Sequence, residues 1–173
     1  VLEYKKEGYL PSAVFNYLIL LGWSPGNDQE ILSKSEILEK FSIKKISDSS
    51  AVFDSEKLDW MNGIHIRNLS TEDLSKNIIY FLEKPYKDGG LEDHITLPID
   101  STKIMNIVPF IQERLKTLKD AKEMVDFFFL EDDEIQIDQN DLLSKNIDKK
   151  SISELLMKSL KVIEEIENFK SEQ

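Results

Sequence analysis

Apolar residues crowd one early segment of the chain more densely than any other. In Pro11-Ser-Ala-Val-Phe-Asn-Tyr-Leu-Ile-Leu-Leu-Gly22 they fall in nearly every direction around a helical wheel. That pattern predicts a central helix of a small bundle. Pro11 suits its first turn, and Gly22 is placed for a left-handed residue just past its end. Trp23 to Asp28 is rich in turn formers, with Pro25-Gly26 the strongest break in the chain. Ser33-Lys-Ser-Glu36 has the spacing of a capping box and predicts a short helix to about Phe41, with Ile37, Leu38 and Phe41 at helical intervals. Asp54 is placed to cap the next helix, Ser55 to about Ile66, on which Leu58, Met61 and Trp60 make the inward side. Ser70 opens another helix through Leu82.

The second half is more interrupted. Residues 84–98 read as a loop, broken by Pro85, Gly89-Gly90 and Pro98. Ser101 then caps a predicted long segment running to Leu118, with Pro109 as a kink or restart. Met124 to Leu130 continues the apolar signal, and Ile152 to Phe169 sets Leu155, Leu156, Leu160, Ile163 and Ile166 along one side of a last amphipathic helix. No alternating pattern competes with these, and no internal repeat stands out. The expectation is an all-α protein, a helical bundle followed by a second helical subdomain.

Composition narrows the chemistry. With 173 residues, an apolar fraction of 40% and a charged fraction of 32%, the chain has enough apolar residues for a folded core. It has no cysteine, which excludes disulfides, thiolate metal sites and thiol catalysis and fits a cytoplasmic location. No stretch approaches the roughly 20 apolar residues of a membrane span. The chain begins at Val1 without an initiator methionine, so it is expected to be a piece of a larger protein. The net charge of −11 argues against nucleic acid at first sight. The acidity is uneven, however, at −2 up to Ser70 and −9 beyond it, with nine acids against Lys145 alone between Glu123 and Asp148. A cationic face can coexist with such a chain.

His65 and His94 are the only histidines, and no zinc-protease, phosphate-loop or nucleophile-elbow pattern occurs. Independent catalysis is therefore not expected. Glu131-Asp-Asp-Glu134 lacks the alternating spacing of a calcium loop and reads as a solvated acidic loop, so no metal site is expected. His65, between Ile64 and Ile66, suits packing or capping better than chemistry. On an unbroken helix, 100° per residue puts Lys103 and Arg114 about 20° apart and Phe110 about 40° from Arg114, at the edge of the stripe from Ile104 to Leu118. An arginine beside an aromatic face can read phosphate or a splayed base. The competing reading buries Phe110 and pairs Arg114 with Glu113 or Asp120.

Three runs carry a resemblance. Glu7-Gly-Tyr-Leu-Pro-Ser-Ala-Val-Phe-Asn-Tyr-Leu-Ile-Leu-Leu-Gly-Trp-Ser-Pro-Gly26 resembles the segment after the KMSKS-like loop of bacterial glutamyl-tRNA synthetases. Val52-Phe-Asp-Ser-Glu-Lys-Leu-Asp-Trp-Met-Asn-Gly63 with Ile66-Arg67 resembles that family's next hallmark, and Glu113-Arg-Leu-Lys-Thr-Leu118 followed by Phe127-Phe-Phe129 a third. All three stand in family order. The resemblance implies a class I enzyme that activates glutamate with ATP and magnesium and transfers it to its tRNA. This fragment would hold stem-contact helices over residues 1–70 and the first part of an anticodon-binding region over 71–173, without the catalytic Rossmann domain, the last subdomain or any cofactor site.

By the same resemblance Arg114 matches the family's ERxKTL arginine and reads the third anticodon base; the helical spacing, not the resemblance, sets Phe110 and Lys103 beside it. Lys57 and Arg67 match the stem-contact hallmark and are expected at the D-stem backbone, while Lys116 and Lys119 near Arg114 read equally as weak phosphate contacts or as a solvated face. Trp60, Leu58 and Tyr17 to Leu21 are expected in the core. His65 stands where the family usually has tyrosine. The expected partner is glutamate tRNA, bound by a monomer with no membrane contact. The alternative is an α-helical protein-interaction module, in which Trp60, Met61 and the last helix face another protein. Salt separates the two, since tRNA binding weakens steeply with ionic strength.

Overall fold

Helices make up the regular structure of the computed structural model, which describes residues 2–47, 52–83, 97–130, 135, 138, 140 and 147–166. The greater part of the expected loop over 84–98, the Glu131–Glu134 run and the end of the last predicted helix lie outside the described residues. Two compact units are present, Val1–Phe129 and Leu130–Gln173. The first contains α1 (Leu2–Lys6), α2 (Pro11–Gly22), α3 (Lys34–Lys40), α4 (Ser55–Arg67), α5 (Thr71–Glu83), α6 (Ser101–Ile111) and α7 (Asp120–Val125). The second contains α8 (Lys149–Glu164). Among the described residues the one β pairing is an isolated antiparallel bridge between Trp23 and Ile46. The all-α expectation holds.

Local chemistry sets most helix starts where the sequence put them. Ser33 Oγ accepts the Glu36 N–H at 3.2 Å while Glu36 Oε2 accepts the Ser33 N–H at 2.7 Å, a complete capping box on α3. Asp54 accepts the Lys57 N–H at 3.0 Å on α4, and Ser70 Oγ accepts the Asp73 N–H at 3.1 Å on α5. On α6 the cap lies one residue earlier than expected. Asp100, and not Ser101, accepts the N–H groups of Thr102 and Lys103, at 2.8 and 3.3 Å. A carboxylate reaching two amides outcompetes a hydroxyl for this role.

Three expectations are corrected in the first unit. Gly22 is the last residue of α2 and not a left-handed one; Trp23 leaves in extended geometry, and the Gly22 carbonyl accepts the Ser47 N–H at 2.8 Å. The chain therefore runs straight out of α2 toward Ile46 instead of reversing. Second, α2 is not the buried centre: Ala13, Asn16 and Tyr17 are buried, but Phe15 and Leu18 are exposed and Ile19 to Leu21 only partly covered. The largest core instead joins Ile66, Leu74, Ile78 and Leu82 to Ile104, Val108, Ile111 and Leu115, where α5 packs along α6. Third, Trp60 is 46% exposed, while Leu58 is buried as expected. On α4, Met61 and Asn62 lie within about 60° of Leu58, and Trp60 lies about 160° away.

The long segment ending at Leu118 is also corrected. Helix α6 stops at Ile111, Gln112–Arg114 tighten into a 3-10 turn, and Leu115 is extended at φ −74° and ψ 126°. Pro109 has no N–H to give to the carbonyl one turn before it, which weakens the helix near its end. The chain beyond it is held elsewhere. The Leu118 N–H donates to the Gly8 carbonyl at 2.9 Å, bringing the start of the unit against this loop. In the second unit Asp148 caps α8 by accepting from Lys150 and Ser151. Leu155, Leu156, Leu160 and Ile163 form the expected row on α8 and are exposed.

Candidate nucleic-acid interface

The end of α6, the turn after it and the α7 region enclose a groove of about 370 Å³. Phe110 enters from α6, Arg114 from the 3-10 turn, Glu123 and Met124 from α7, and Phe127 and Phe128 from the turn that follows. Phe110 is 60% exposed and Phe127 51%, and the Phe127 and Phe128 rings lie 3.9 Å apart between centroids at 33°. Exposed aromatic faces of this kind suit base stacking. The structure thus brings Phe110 and Arg114 to one groove, as the sequence expected.

Two carboxylates were candidates to neutralise Arg114, and both are engaged elsewhere. Glu113 lies 3.9 Å from Arg67 Nε, and Asp120 accepts the N–H groups of Lys116 and Thr117 at 2.9 and 2.8 Å. Among the described residues the Arg114 guanidinium has no hydrogen-bond or ion-pair partner. Lys103 is not with it. Its ammonium stands over the Phe129 ring, 4.9 Å from the centroid, outside the groove lining. The helix break explains this, because the wheel that aligned Lys103 with Arg114 assumed one helix across both.

The expected stem-contact residues do not form a single patch. Lys57 pairs with Glu30 and lines a separate hollow of about 250 Å³ with Tyr17, Leu20, Leu21, Val52 and Asp54. Arg67 lies on the same helix, about 15 Å further along and about 80° around. Lys119 pairs with Glu7 at 2.9 Å, whereas Lys116 is exposed.

Residues that position this region were missed by the sequence reading. Gln112 Nε2 lies 3.0 Å from the Ile66 carbonyl, 3.2 Å from that of Arg67 and 2.9 Å from that of Leu69, closing the end of α4. Asn62, fully buried, accepts the Leu10 N–H at 2.8 Å and donates to the Lys116 carbonyl. The available signal was an amide on the inward side of α4, flanked by Met61 and Gly63. Tyr9 donates to Asp59, and burial, reinforced by that carboxylate, pushes its hydroxyl pKa upward.

His65 packs and does not face the groove. Its Nε2 lies 3.1 Å from Asn16 Oδ1, which also accepts the Leu32 N–H at 2.9 Å, so Nε2 is the donor. Burial lowers its pKa below the ordinary value of about 6.5. On acidification the unfolded chain takes up this proton first, so the His65 contribution is complete above about pH 6.5 and is lost as pH falls through the folded value. Thermal melts between pH 7.5 and 5.5 should show stability falling with acid. His65→Gln should flatten that part of the profile, and an unchanged slope would refute the assignment.

Comparison with known proteins places the chain among relatives. The family described as anticodon binding domain matches residues 82–173, over half the chain, and the one described as tRNA synthetases class I (E and Q), catalytic domain, matches residues 1–60. The first of these covers more than half of the chain, which belongs to the anticodon binding domain family, while the likeness to class I synthetases is confined to the first 60 residues. Glutamate–tRNA ligase of Dehalococcoides mccartyi is 37% identical over 97% of the chain, which spans 33% of that relative. Glutamate–tRNA ligase 1 of Pseudothermotoga lettingae is 41% identical over 74% of the chain and 25% of its own length. The crystal structure of a glutamate tRNA ligase from Elizabethkingia meningosepticum superposes with a TM-score of 0.68 at 26% identity, over 95% of this chain and 30% of that one. The chain spans about a quarter to a third of the length of these relatives.

Proposed function

We propose that the chain is the tRNA-binding portion of a glutamate–tRNA ligase, with a stem-contact part over residues 1–70 and an anticodon-binding part from residue 71. The observation that carries this reading is Arg114, without an ion-pair partner among the described residues, beside exposed Phe110 in the groove. Arg114 donates to the third anticodon base, and Phe110 offers a ring against it. Lys57 and Arg67 hold stem phosphates, which fixes orientation without reading sequence. Lys116 adds a screened phosphate contact. Lys103, engaged with Phe129, contributes less, and Lys119 must give up Glu7 for a phosphate as Lys57 must give up Glu30.

Glutamate activation with ATP and magnesium belongs to the parent enzyme, in a cytoplasmic setting, and this chain alone is expected to be inactive in it. Among the described residues no group of three His, Asp or Glu is placed to hold a metal, and no helix is long and apolar enough to cross a membrane.

The test is binding to glutamate tRNA and to a third-anticodon-base variant across a salt series. Affinity should fall steeply with salt. Arg114→Ala should reduce discrimination between the two RNAs by about tenfold or more. Equal affinity for both RNAs, untouched by Arg114→Ala, would remove the base-reading role.

A further inference from the structure

Glu123 is the part of the groove that tRNA binding leaves unexplained. A carboxylate placed against a phosphate backbone opposes binding by like-charge repulsion. The groove nevertheless sets one anion, Glu123, with one cation, Arg114, in a wall otherwise made by the apolar Phe110, Ile111, Met124, Phe127 and Phe128. Among the described residues neither charge has an ion-pair partner. A wall that is neutral in sum, largely aromatic and equipped with both a donor and an acceptor fits a flat uncharged edge carrying the complementary pair. A nucleobase has such an edge and a phosphate does not.

We propose that Glu123 is a second specificity-determining residue of this groove, accepting a hydrogen bond from the exocyclic amine of the single base that Arg114 contacts. This rests on the reading that the groove meets the third anticodon base, which the glutamate codons require to be cytosine. Its N4 amine donates to Glu123, and its N3 or O2 accepts from Arg114. Uracil in the same place turns a carbonyl oxygen toward the carboxylate and is rejected. Glu123 is exposed on α7, so its replacement by alanine removes the acceptor without opening the core.

A double-mutant cycle tests this with the full 173-residue chain and an anticodon stem-loop RNA at low salt. One RNA carries cytosine at the third anticodon position, and the other carries pyrimidin-2-one, which lacks only the amine. The native chain should bind the analogue about tenfold more weakly, and Glu123→Ala should bind the two RNAs within about twofold of each other. An amine penalty of the same size in Glu123→Ala overturns the proposal. If that penalty persists while Arg114→Ala still abolishes discrimination against a guanine variant, the anticodon reading stands and only the role of Glu123 falls. Failure of the native chain to prefer the stem-loop over a scrambled loop overturns both.

Discussion

Gly8→Ala should destabilise the protein by about 2–5 kcal/mol, summing the cost of a left-handed residue with a side chain and that of an overpacked contact. Gly8 sits at φ +82°, and a Cβ there would lie 2.6 Å from the Lys119 nitrogen and 2.8 Å from that of Leu118. Both neighbours are backbone, so neither can rotate aside. The hydrogen bond from Leu118 to the Gly8 carbonyl would stretch with them. Gly22→Ala is the matched control. Gly22 is helical and a Cβ there meets nothing within 4 Å, so the change should be neutral or stabilising by about 0.5–1 kcal/mol. Urea midpoints decide the matter, and equal midpoints for the two variants would refute the close approach.

Asn62→Leu should cost about 2–5 kcal/mol, although it keeps the size of the side chain. The amide links three pieces of chain: its own helix α4, the Leu10 N–H at the start of α2, and the Lys116 carbonyl in the loop after Arg114. Leucine would leave a buried donor and an acceptor unsatisfied at once. A partner site that can still hydrate would show a smaller loss, so the predicted signature is a double one. The unfolding midpoint should drop, and the Leu10 amide should exchange faster than its neighbours in α2. A variant as stable as the native chain would show that water replaces both bonds. Because the same loop follows the Arg114 turn, Asn62→Leu should also weaken base discrimination in whatever fraction remains folded.

Helix beginnings were legible because capping is local: Ser33, Asp54 and Ser70 meet partners within three residues. Helix ends and tertiary ties were not. Phe110 and Arg114 were correctly paired because they are one turn apart, and a turn survives the change from α to 3-10 geometry. Lys103 and Arg114 were not, because eleven positions of extrapolation cross the point where α6 stops. The density of apolar residues on α2 was misread as burial, since a wheel shows which side is apolar and not whether anything lies against Phe15 or Leu18. Nothing in the sequence marked Gln112 as a side chain that gathers carbonyls from α4 and the turn after it. Its partners lie up to 46 positions away and become visible only in three dimensions.

The meeting of Gly8 with Leu118 also has a bearing on synthesis. Glu7 and Lys119, which flank that contact, are 112 positions apart. At ordinary elongation rates the first of them waits on the order of 10 s on the ribosome before the second exists. During that interval Gly8 and Leu10 have no Leu118 to rest on, while Tyr4 and Tyr9 already have Tyr17, Leu58 and Met61 of α2 and α4 to pack against. The N-terminal turn should therefore be among the last parts of the unit to become protected in a translating chain, and a nascent-chain proteolysis series should cut there until Lys119 has emerged.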